Sequence, residues 1–192
     1  MPGRTALRRV RPGCVLKSWV RSLLVSIRDV RGSKKDRLWI ESVYSEYIDA
    51  FDALNTGLFS VIGAGNPRED EIFANWFSND HSHPLLILKG ADPVGFAVVT
   101  RPRIAAAGAK SADYRMSEFF VREPHRRAGI GRDAAKLIFG RFAGEWEILE
   151  YMRNPGAVAF WRHVVAAYTA GRYTERCYNG EVQQRFTSLR ER

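Results

Sequence analysis

The sequence predicts an α/β domain with a single mixed β-sheet that is flanked by helices and ends in a β-hairpin. Three features predict this fold class. Apolar runs of strand length alternate with amphipathic stretches of helical period along the 192 residues. A glycine-containing loop, residues 129–131, joins an apolar strand to a helix. Asn179-Gly180 separates two strand-like runs near the C-terminus, and this dipeptide is the strongest signal for a two-residue hairpin turn.

The elements follow one another without an internal repeat. Ser33, with Asp36 three residues later, predicts the N-cap of the first helix, and Pro155 predicts the first position of the last helix. The predicted order is β-α-α-β-β-β-α-β-α-β-β, with turn-rich or flexible segments at 55–66 and 104–112. The predicted strands are Leu23–Val30, Pro84–Lys89, Val94–Thr100, Tyr114–Val121, Glu145–Tyr151, Arg172–Tyr178 and Glu181–Ser188.

The excess of positive charge lies at the N-terminus. The formal net charge is +9, and residues 1–35 hold ten Lys and Arg against Asp29 as the one acid. The other 157 residues carry 20 basic and 20 acidic side chains. We therefore expect residues 1–22 to be a poorly ordered basic extension and residues 23–192 to form the domain. Such an arm can bind nucleic acid or an anionic surface, and this contact is kept as an alternative to a solvated extension.

Composition also limits the compartment and the metal chemistry. Cys14 and Cys177 are the two cysteines and give no disulfide framework. This cysteine usage fits a reducing compartment, so we expect a cytoplasmic protein. No run approaches the roughly 18 apolar residues of a membrane-spanning helix. His81 and His83 lack a third strong ligand nearby in the sequence, and we expect no metal site.

The segment from Met116 to Phe142 predicts a phosphate-binding site. An apolar strand, Met116–Val121, is followed by a basic loop, Arg122–Ala128, and by Gly129-Ile130-Gly131 at the start of a helix. Glycine allows a ligand to approach the backbone closely. The unpaired N–H groups of a first helical turn and the helix dipole both favour an anion.

Two motifs fit this loop. Residues 129–134 match the dinucleotide fingerprint G-x-G-x-x-A, with Glu150 near the position of its ribose-binding acid. However, seven residues including Pro124 separate the strand from the first glycine, and a hairpin instead of further βαβ units follows Glu150. Residues 126–131 also read R-x-x-G-x-G, and the order of elements favours this second motif.

The R-x-x-G-x-G loop after the fourth strand is similar to the acetyl-CoA-binding motif of the GNAT N-acetyltransferases, over roughly residues 23–188. Residues 154–161, NPGAVAFW, resemble a second GNAT segment, N-x-x-A-x-x-F followed by an aromatic residue, about 25 residues beyond the glycine loop. The combination resembles a bacterial branch of predicted acetyltransferases. It implies acetyl-CoA as co-substrate, no metal, and transfer of an acetyl group to a small-molecule or peptide amine by direct attack.

The resemblance also implies roles for individual residues. The backbone of the strand that ends at Val121, splayed from strand five, would pair with the pantetheine arm, and the loop N–H groups with the Arg126 side chain would hold the pyrophosphate. Asn154 would contact the pantetheine arm or cap the last helix. The implied cofactor-binding residues are Phe119, Phe120, Val121, Arg126, Arg127, Ala128, Gly129, Ile130, Gly131, Arg132, Asn154, Ala157, Phe160 and Trp161.

The sequence departs from the GNAT pattern at one position that bears on chemistry. Many members have a tyrosine, able to protonate the departing thiolate, where this chain has Trp161, whose indole N–H is not a usable acid. Tyr168 is the nearest alternative in sequence. Glu118, on the strand before the loop, is the candidate base for the amine. A catalytically silent CoA-binding module is the alternative function, and a homodimer stays open.

Overall fold

A computed structural model describes residues 25–52, 69–102 and 111–189, without the side chains of residues 51 and 52. The predicted N-terminal extension, residues 1–22, and the turn-rich segment 55–66 lie outside the described residues. Most of the predicted loop 104–112 lies outside them as well. Among the described helices, none is long and apolar enough to cross a membrane.

The described elements follow the predicted order with one additional helix. The helices are α1 (Lys34–Ser42), α2 (Tyr44–Asp52), α3 (Glu69–Ser78), α4 (Ile130–Arg141) and α5 (Pro155–Thr169). The strands are β1 (Val25–Asp29), β2 (Ser82–Lys89), β3 (Asp92–Thr100), β4 (Tyr114–Val121), β5 (Gly144–Tyr151), β6 (Thr174–Tyr178) and β7 (Glu181–Ser188). A short 3₁₀ turn, Glu123–His125, lies between β4 and α4.

The prediction of a single helix after β1 is wrong, because the chain forms two helices, α1 and α2, with a break at Val43. The Val43 N–H donates to the Ile40 carbonyl, three residues back, and the helix restarts with the Tyr47 N–H bonded to the Val43 carbonyl. Val43 itself is buried. A break of one residue leaves apolar residues on the same side before and after it, so the sequence period does not reveal it.

The predicted caps of the first and last helices are confirmed. The Ser33 hydroxyl accepts a hydrogen bond from the Asp36 N–H at 3.3 Å. The Asp36 carboxylate is buried and receives two hydrogen bonds from Arg28 of β1, which ties α1 to the sheet. Pro155 occupies the first turn of α5, after the N-cap Asn154.

The sheet has the strand order β1-β2-β3-β4-β5-β7-β6, and β4–β5 is its parallel pair within the described chain. Neighbouring strands otherwise run antiparallel. This mixed sheet confirms the predicted fold class, including the C-terminal hairpin of β6 and β7. Asn179 and Gly180 both have positive φ, 51° and 78°, as a type I′ turn requires. A doubly wound parallel sheet is excluded, so the dinucleotide-binding alternative is wrong.

Helices cover both faces of the sheet. On one face, a single apolar cluster contains Phe139 of α4, Trp161 of α5 and Trp146 of β5. On the other face, Tyr47 of α2 and Trp76 of α3 belong to a second cluster. We call these the α4/α5 face and the α1–α3 face.

A β-bulge in β4 decides which face each of its side chains meets. Val98 of β3 lies opposite Glu118, but Val99 lies opposite Met116, so Ser117 is an extra residue on β4. Met116 packs on the α4/α5 face, whereas Phe120 packs on the α1–α3 face. Without the bulge, strict alternation would place Met116, Glu118 and Phe120 on one face.

Candidate active site

A gap opens between β4 and β5 in the middle of the sheet. Their parallel pairing spans three residue pairs and ends at Met116 with Ile148. Beyond it, β4 continues to Val121 while paired with β3, and β5 continues to Tyr151 while paired with β7. The backbone edge of β4 that faces β5 is therefore left without a strand partner over Ser117–Val121. An extended ligand can pair with such an edge.

Glu118 lies at this gap and makes a hydrogen bond with a residue of α2. The side chain is half-buried, and its carboxylate accepts a hydrogen bond from the Tyr47 hydroxyl. Burial raises the pKa of Glu118 to about 7, while the bond from Tyr47 acts in the opposite direction. Burial, together with the charge of Glu118, holds the pKa of Tyr47 well above its usual value, so Tyr47 remains a donor at neutral pH.

A second carboxyl group, Glu150 of β5, borders the same gap. Burial raises the pKa of Glu150 to about 8; a hydrogen bond from the Trp161 side chain lowers it, and the charge of Glu118 raises it. From its position in the sequence, Glu150 is suggested only as the ribose-binding acid of the dinucleotide alternative. The signal that could have found it is its spacing, since Trp146, Ile148 and Glu150 alternate along one strand and the first two are core residues.

The glycine loop has the geometry of an anion site. Gly129 is the N-cap of α4 with φ 83°, and it provides no side-chain cap. The first helical hydrogen bond runs from the Asp133 N–H to the Gly129 carbonyl at 3.0 Å. The N–H groups at positions 130–132 precede this bond and have no partner within the helix. Arg127 also has a positive φ, 60°, and such strained backbone is typical of ligand-binding loops.

The loop arginines make contacts within the protein. Arg126 donates to the Val121 carbonyl at 2.7 Å, and its guanidinium lies 5.5 Å from the centre of the Phe120 ring. Arg132 pairs with Asp133 at 2.8 Å. These contacts are exposed or partly exposed and are therefore worth little in stability. Both side chains can exchange them for a phosphate at low cost.

One protein-family model covers both the gap and the loop. The model of the acetyltransferase (GNAT) family matches residues 37–164. The chain belongs to this family. The match spans α1 to α5 and thus includes the gap, the glycine loop and both carboxyl groups, and it confirms the predicted enzyme class.

Solved GNAT-fold structures extend the likeness to the whole domain. An acetyltransferase from Thermus thermophilus aligns with a TM-score of 0.55 and 18% identity, covering 85% of this chain and 98% of that one. The N-acetyltransferase PseH from Campylobacter jejuni aligns with a TM-score of 0.51 and 8% identity, covering 86% and 99%. At such identities the likeness shows the fold alone. A comparison with curated protein sequences found no match.

The second GNAT segment forms an aromatic wall beside the loop. Phe119 and Phe160 stack with ring centres 5.7 Å apart, and Trp161 meets both rings edge-on at 5.1 and 4.9 Å. A Cβ on Gly131 would lie 3.3 Å from the Phe160 ring. The absence of a side chain at Gly131 therefore lets this wall pack directly against the first turn of α4.

The remaining predicted residues of this segment are also placed. The Asn154 carboxamide caps α5 by accepting the Ala157 N–H at 3.0 Å, so its capping role is confirmed. Trp161 is 3% exposed and belongs to the core. The Tyr168 hydroxyl lies 2.7 Å from the Ser188 hydroxyl, away from the gap, and its ring packs on Phe139. Tyr168 is thus a partly buried residue that packs against the core of the α4/α5 face.

Proposed function

We propose that this protein transfers an acetyl group from acetyl-CoA to a primary amine by direct attack within a ternary complex. The observation that carries the proposal is the gap between β4 and β5, with Glu118 at its border. The chain belongs to an acetyltransferase family, and the resemblance implies acetyl-CoA as the acetyl donor. The gap has an open strand edge on one side and the glycine loop at its end, which matches an extended donor that carries phosphates.

The chain offers groups for the pantetheine arm and the pyrophosphate of acetyl-CoA. The open edge of β4 over Phe119–Val121 would pair with the amides of the pantetheine arm. The N–H groups from Arg127 to Arg132 would hold the pyrophosphate, joined by Arg126 once it leaves the Val121 carbonyl. Ala157 and Phe160, both half-buried, would pack along the pantetheine arm. The thioester would supply the activated acetyl group at the gap.

Glu118 would act as the base. A primary amine of the lysine type has a pKa near 10.4, so it arrives mostly as the ammonium ion and must lose a proton before attack. General bases work best when their pKa lies close to the working pH. Burial brings the pKa of Glu118 to about 7, and the bond from Tyr47 holds the carboxylate in place. Cys177, the free cysteine of the described chain, is exposed on β6, which favours direct attack over an acetyl-cysteine intermediate.

The decisive experiment is turnover of acetyl-CoA with a panel of primary amines, read as released CoA thiol. We expect thiol release with at least one amine and a Glu118→Gln variant slowed by roughly 10²–10⁴-fold in kcat. The affinity of the variant for CoA should stay within a few-fold of that of the wild type. Binding of CoA without turnover of any amine would support the silent binding module instead. Absence of CoA binding would overturn both.

A further inference from the structure

The two carboxyl groups at the gap lie against opposite faces of the sheet. The bulge at Ser117 turns Glu118 toward the α1–α3 face, where it meets Tyr47. Glu150 follows Ile148 by two residues, on the α4/α5 face, and accepts its hydrogen bond from Trp161 of α5. The glycine loop leads into α4, so the α4/α5 face is the side on which the donor would bind. Glu118 therefore borders the acceptor side and Glu150 the donor side.

Trp161 donates a hydrogen bond to the Glu150 carboxyl group. The indole belongs to the core and is held by Phe119 and Phe160. Its N–H is a donor only, with no second role as acceptor. A carboxyl group has two oxygens, so Glu150 can accept this bond on one oxygen and carry a proton on the other.

We propose that Glu150 is the acid that protonates the departing sulfur, with Trp161 as the residue that positions it. The proposal rests on the proposed function, since it requires a thioester donor in the gap. The two carboxyl groups then have complementary roles. Glu118 lies on the acceptor side, where the amine loses a proton, and Glu150 lies on the donor side, where the sulfur gains one.

Glu118, Glu150 and solvent account for every proton that moves in the reaction. The ammonium ion first releases one proton to solvent through the Glu118 carboxylate, which is left ionised. The neutral amine nitrogen then forms a bond to the carbonyl carbon of the thioester and loses a second proton to Glu118. The C–S bond breaks, its electron pair goes to sulfur, and the Glu150 O–H proton moves to sulfur to give the free thiol. Glu118 is then protonated and Glu150 ionised. Transfer of one proton from Glu118 to Glu150, through water, restores the starting state without an outside reactant.

The surroundings of Glu150 favour the protonated form at neutral pH. The groups that act on it are Trp161 of α5 and Glu118 of β4, and burial with the Glu118 charge outweighs the indole bond. The adjacent Tyr151 and Tyr47 of α2 also interact with Glu150, and both phenols have raised pKa values. The two carboxyl groups titrate as an interacting pair, and the sides of the gap that they border assign the acid and the base.

The first test varies the leaving group. Glu150→Gln keeps an acceptor for the indole but cannot deliver a proton. With acetyl-CoA, kcat should fall at least about tenfold, toward the lower end of the usual general-acid effect. With an acetyl thioester of an acidic thiol, such as acetyl 4-nitrothiophenol, the same variant should lose less than about threefold, because that thiolate leaves unprotonated. Equal losses with both donors would overturn the proposal.

The second test uses the pH profile. Wild-type kcat should fall as Glu150 loses its proton above about pH 8, and this falling limb should be absent in Glu150→Gln. Trp161→Phe removes the bond that lowers the pKa of Glu150, so its falling limb should move to higher pH. Glu181→Gln is the matched control, since Glu181 acts on Tyr151 and not on Glu150. A falling limb unchanged in both Glu150→Gln and Trp161→Phe would contradict the assignment.

These outcomes are distinct from failure of the proposed function. If wild-type protein releases no thiol with any amine, the transfer itself is wrong and the Glu150 tests have no baseline. If wild-type protein turns over and Glu150→Gln matches it in rate, leaving-group dependence and pH profile, then the transfer stands and the role of Glu150 is overturned. Binding of CoA to each variant, measured by calorimetry, identifies a variant that is merely misfolded.

Discussion

The Tyr47 hydroxyl donates a hydrogen bond to the carboxylate of Glu118, a residue 71 positions further along the chain. The bond joins α2 to β4 at the border of the gap. It favours the ionised form of Glu118, whereas burial favours the protonated form and prevails. The working pH range of the proposed base therefore depends on a helix distant in sequence.

Tyr47→Phe should move the rising limb of kcat/KM to higher pH. Removing the donor takes away the interaction that lowers the pKa of Glu118, so a larger share of Glu118 stays protonated at neutral pH. The measurement is the pH dependence of thiol release with one amine. Tyr44→Phe is the control, because Tyr44 lies in the same cluster but interacts with Glu118 only through its charge. A limb that moves equally in both variants would argue against the bond as the cause.

Glu118→Gln should stabilise the fold at alkaline pH. Glu118 has a pKa of about 7 in the fold against an ordinary 4.5, so the folded state binds its proton more tightly than the unfolded state does. Its contribution is fully present below about pH 4.5 and is lost as pH rises through about 7. The variant should therefore exceed the wild type by about 1–3 kcal/mol in free energy of unfolding at pH 8. Urea titrations at pH 8 and pH 4 measure it, and a constant difference would refute the linkage.

Gly129→Val should abolish most of the rise in Tm that CoA produces. Gly129 has φ 83°, and a Cβ there would lie 3.2 Å from the Arg132 guanidinium, so the substitution distorts the first turn of α4. A ligand that binds only the native state raises Tm by mass action. Gly140→Ala is the matched control on the same helix, since a Cβ at Gly140 meets nothing within 4 Å. An intact CoA response in Gly129→Val would show that the loop does not bind the phosphates.

Gly95→Ala should damage both stability and turnover. A Cβ on Gly95 would lie 2.2 Å from the Phe120 carbonyl oxygen, which is backbone and cannot rotate away. The substitution must separate β3 from β4 near the bulge that orients Glu118, and we expect a loss of at least about 1–3 kcal/mol with a lower kcat. Gly156→Ala, with an ordinary 3.7 Å contact to Asn154, is the control. Thermal unfolding and thiol release, measured on both variants, test this prediction. A Gly95→Ala variant with the stability and turnover of the wild type would overturn the role of the bulge.

Deleting residues 1–20 should leave folding and CoA binding nearly unchanged. The described sheet begins at Val25 of β1, and we propose that residues 1–22 form a separate basic arm. If the full chain binds nucleic acid or anionic vesicles, the deletion should remove that binding and most of its salt dependence. A truncated protein that fails to fold would show instead that the arm packs on the domain.

The sequence by itself determined the order of most elements and the position of the glycine loop at the start of α4. Caps, hairpin turns and glycine loops depend on a few neighbouring residues, and so their signals are local. Ser33, Pro155 and Asn179-Gly180 each specify a backbone conformation within a few positions of themselves. The break at Val43 left no such local signal, because the apolar residues on both sides of it face the same core.

The tertiary structure alone decided how the side chains meet at the gap. The bulge at Ser117 reverses the alternation of β4, so Glu118 meets Tyr47 of α2 and not helices α4 and α5. The sequence suggested Glu150 only as a ribose-binding acid. In the structure it borders the same gap, because β5 pairs with β4 only as far as Ile148, and it meets Trp161 of α5. Both pKa shifts arise from burial, which depends on elements far apart in the chain. Local sequence patterns do not contain that information, since register and desolvation exist only once the sheet and its helices have assembled.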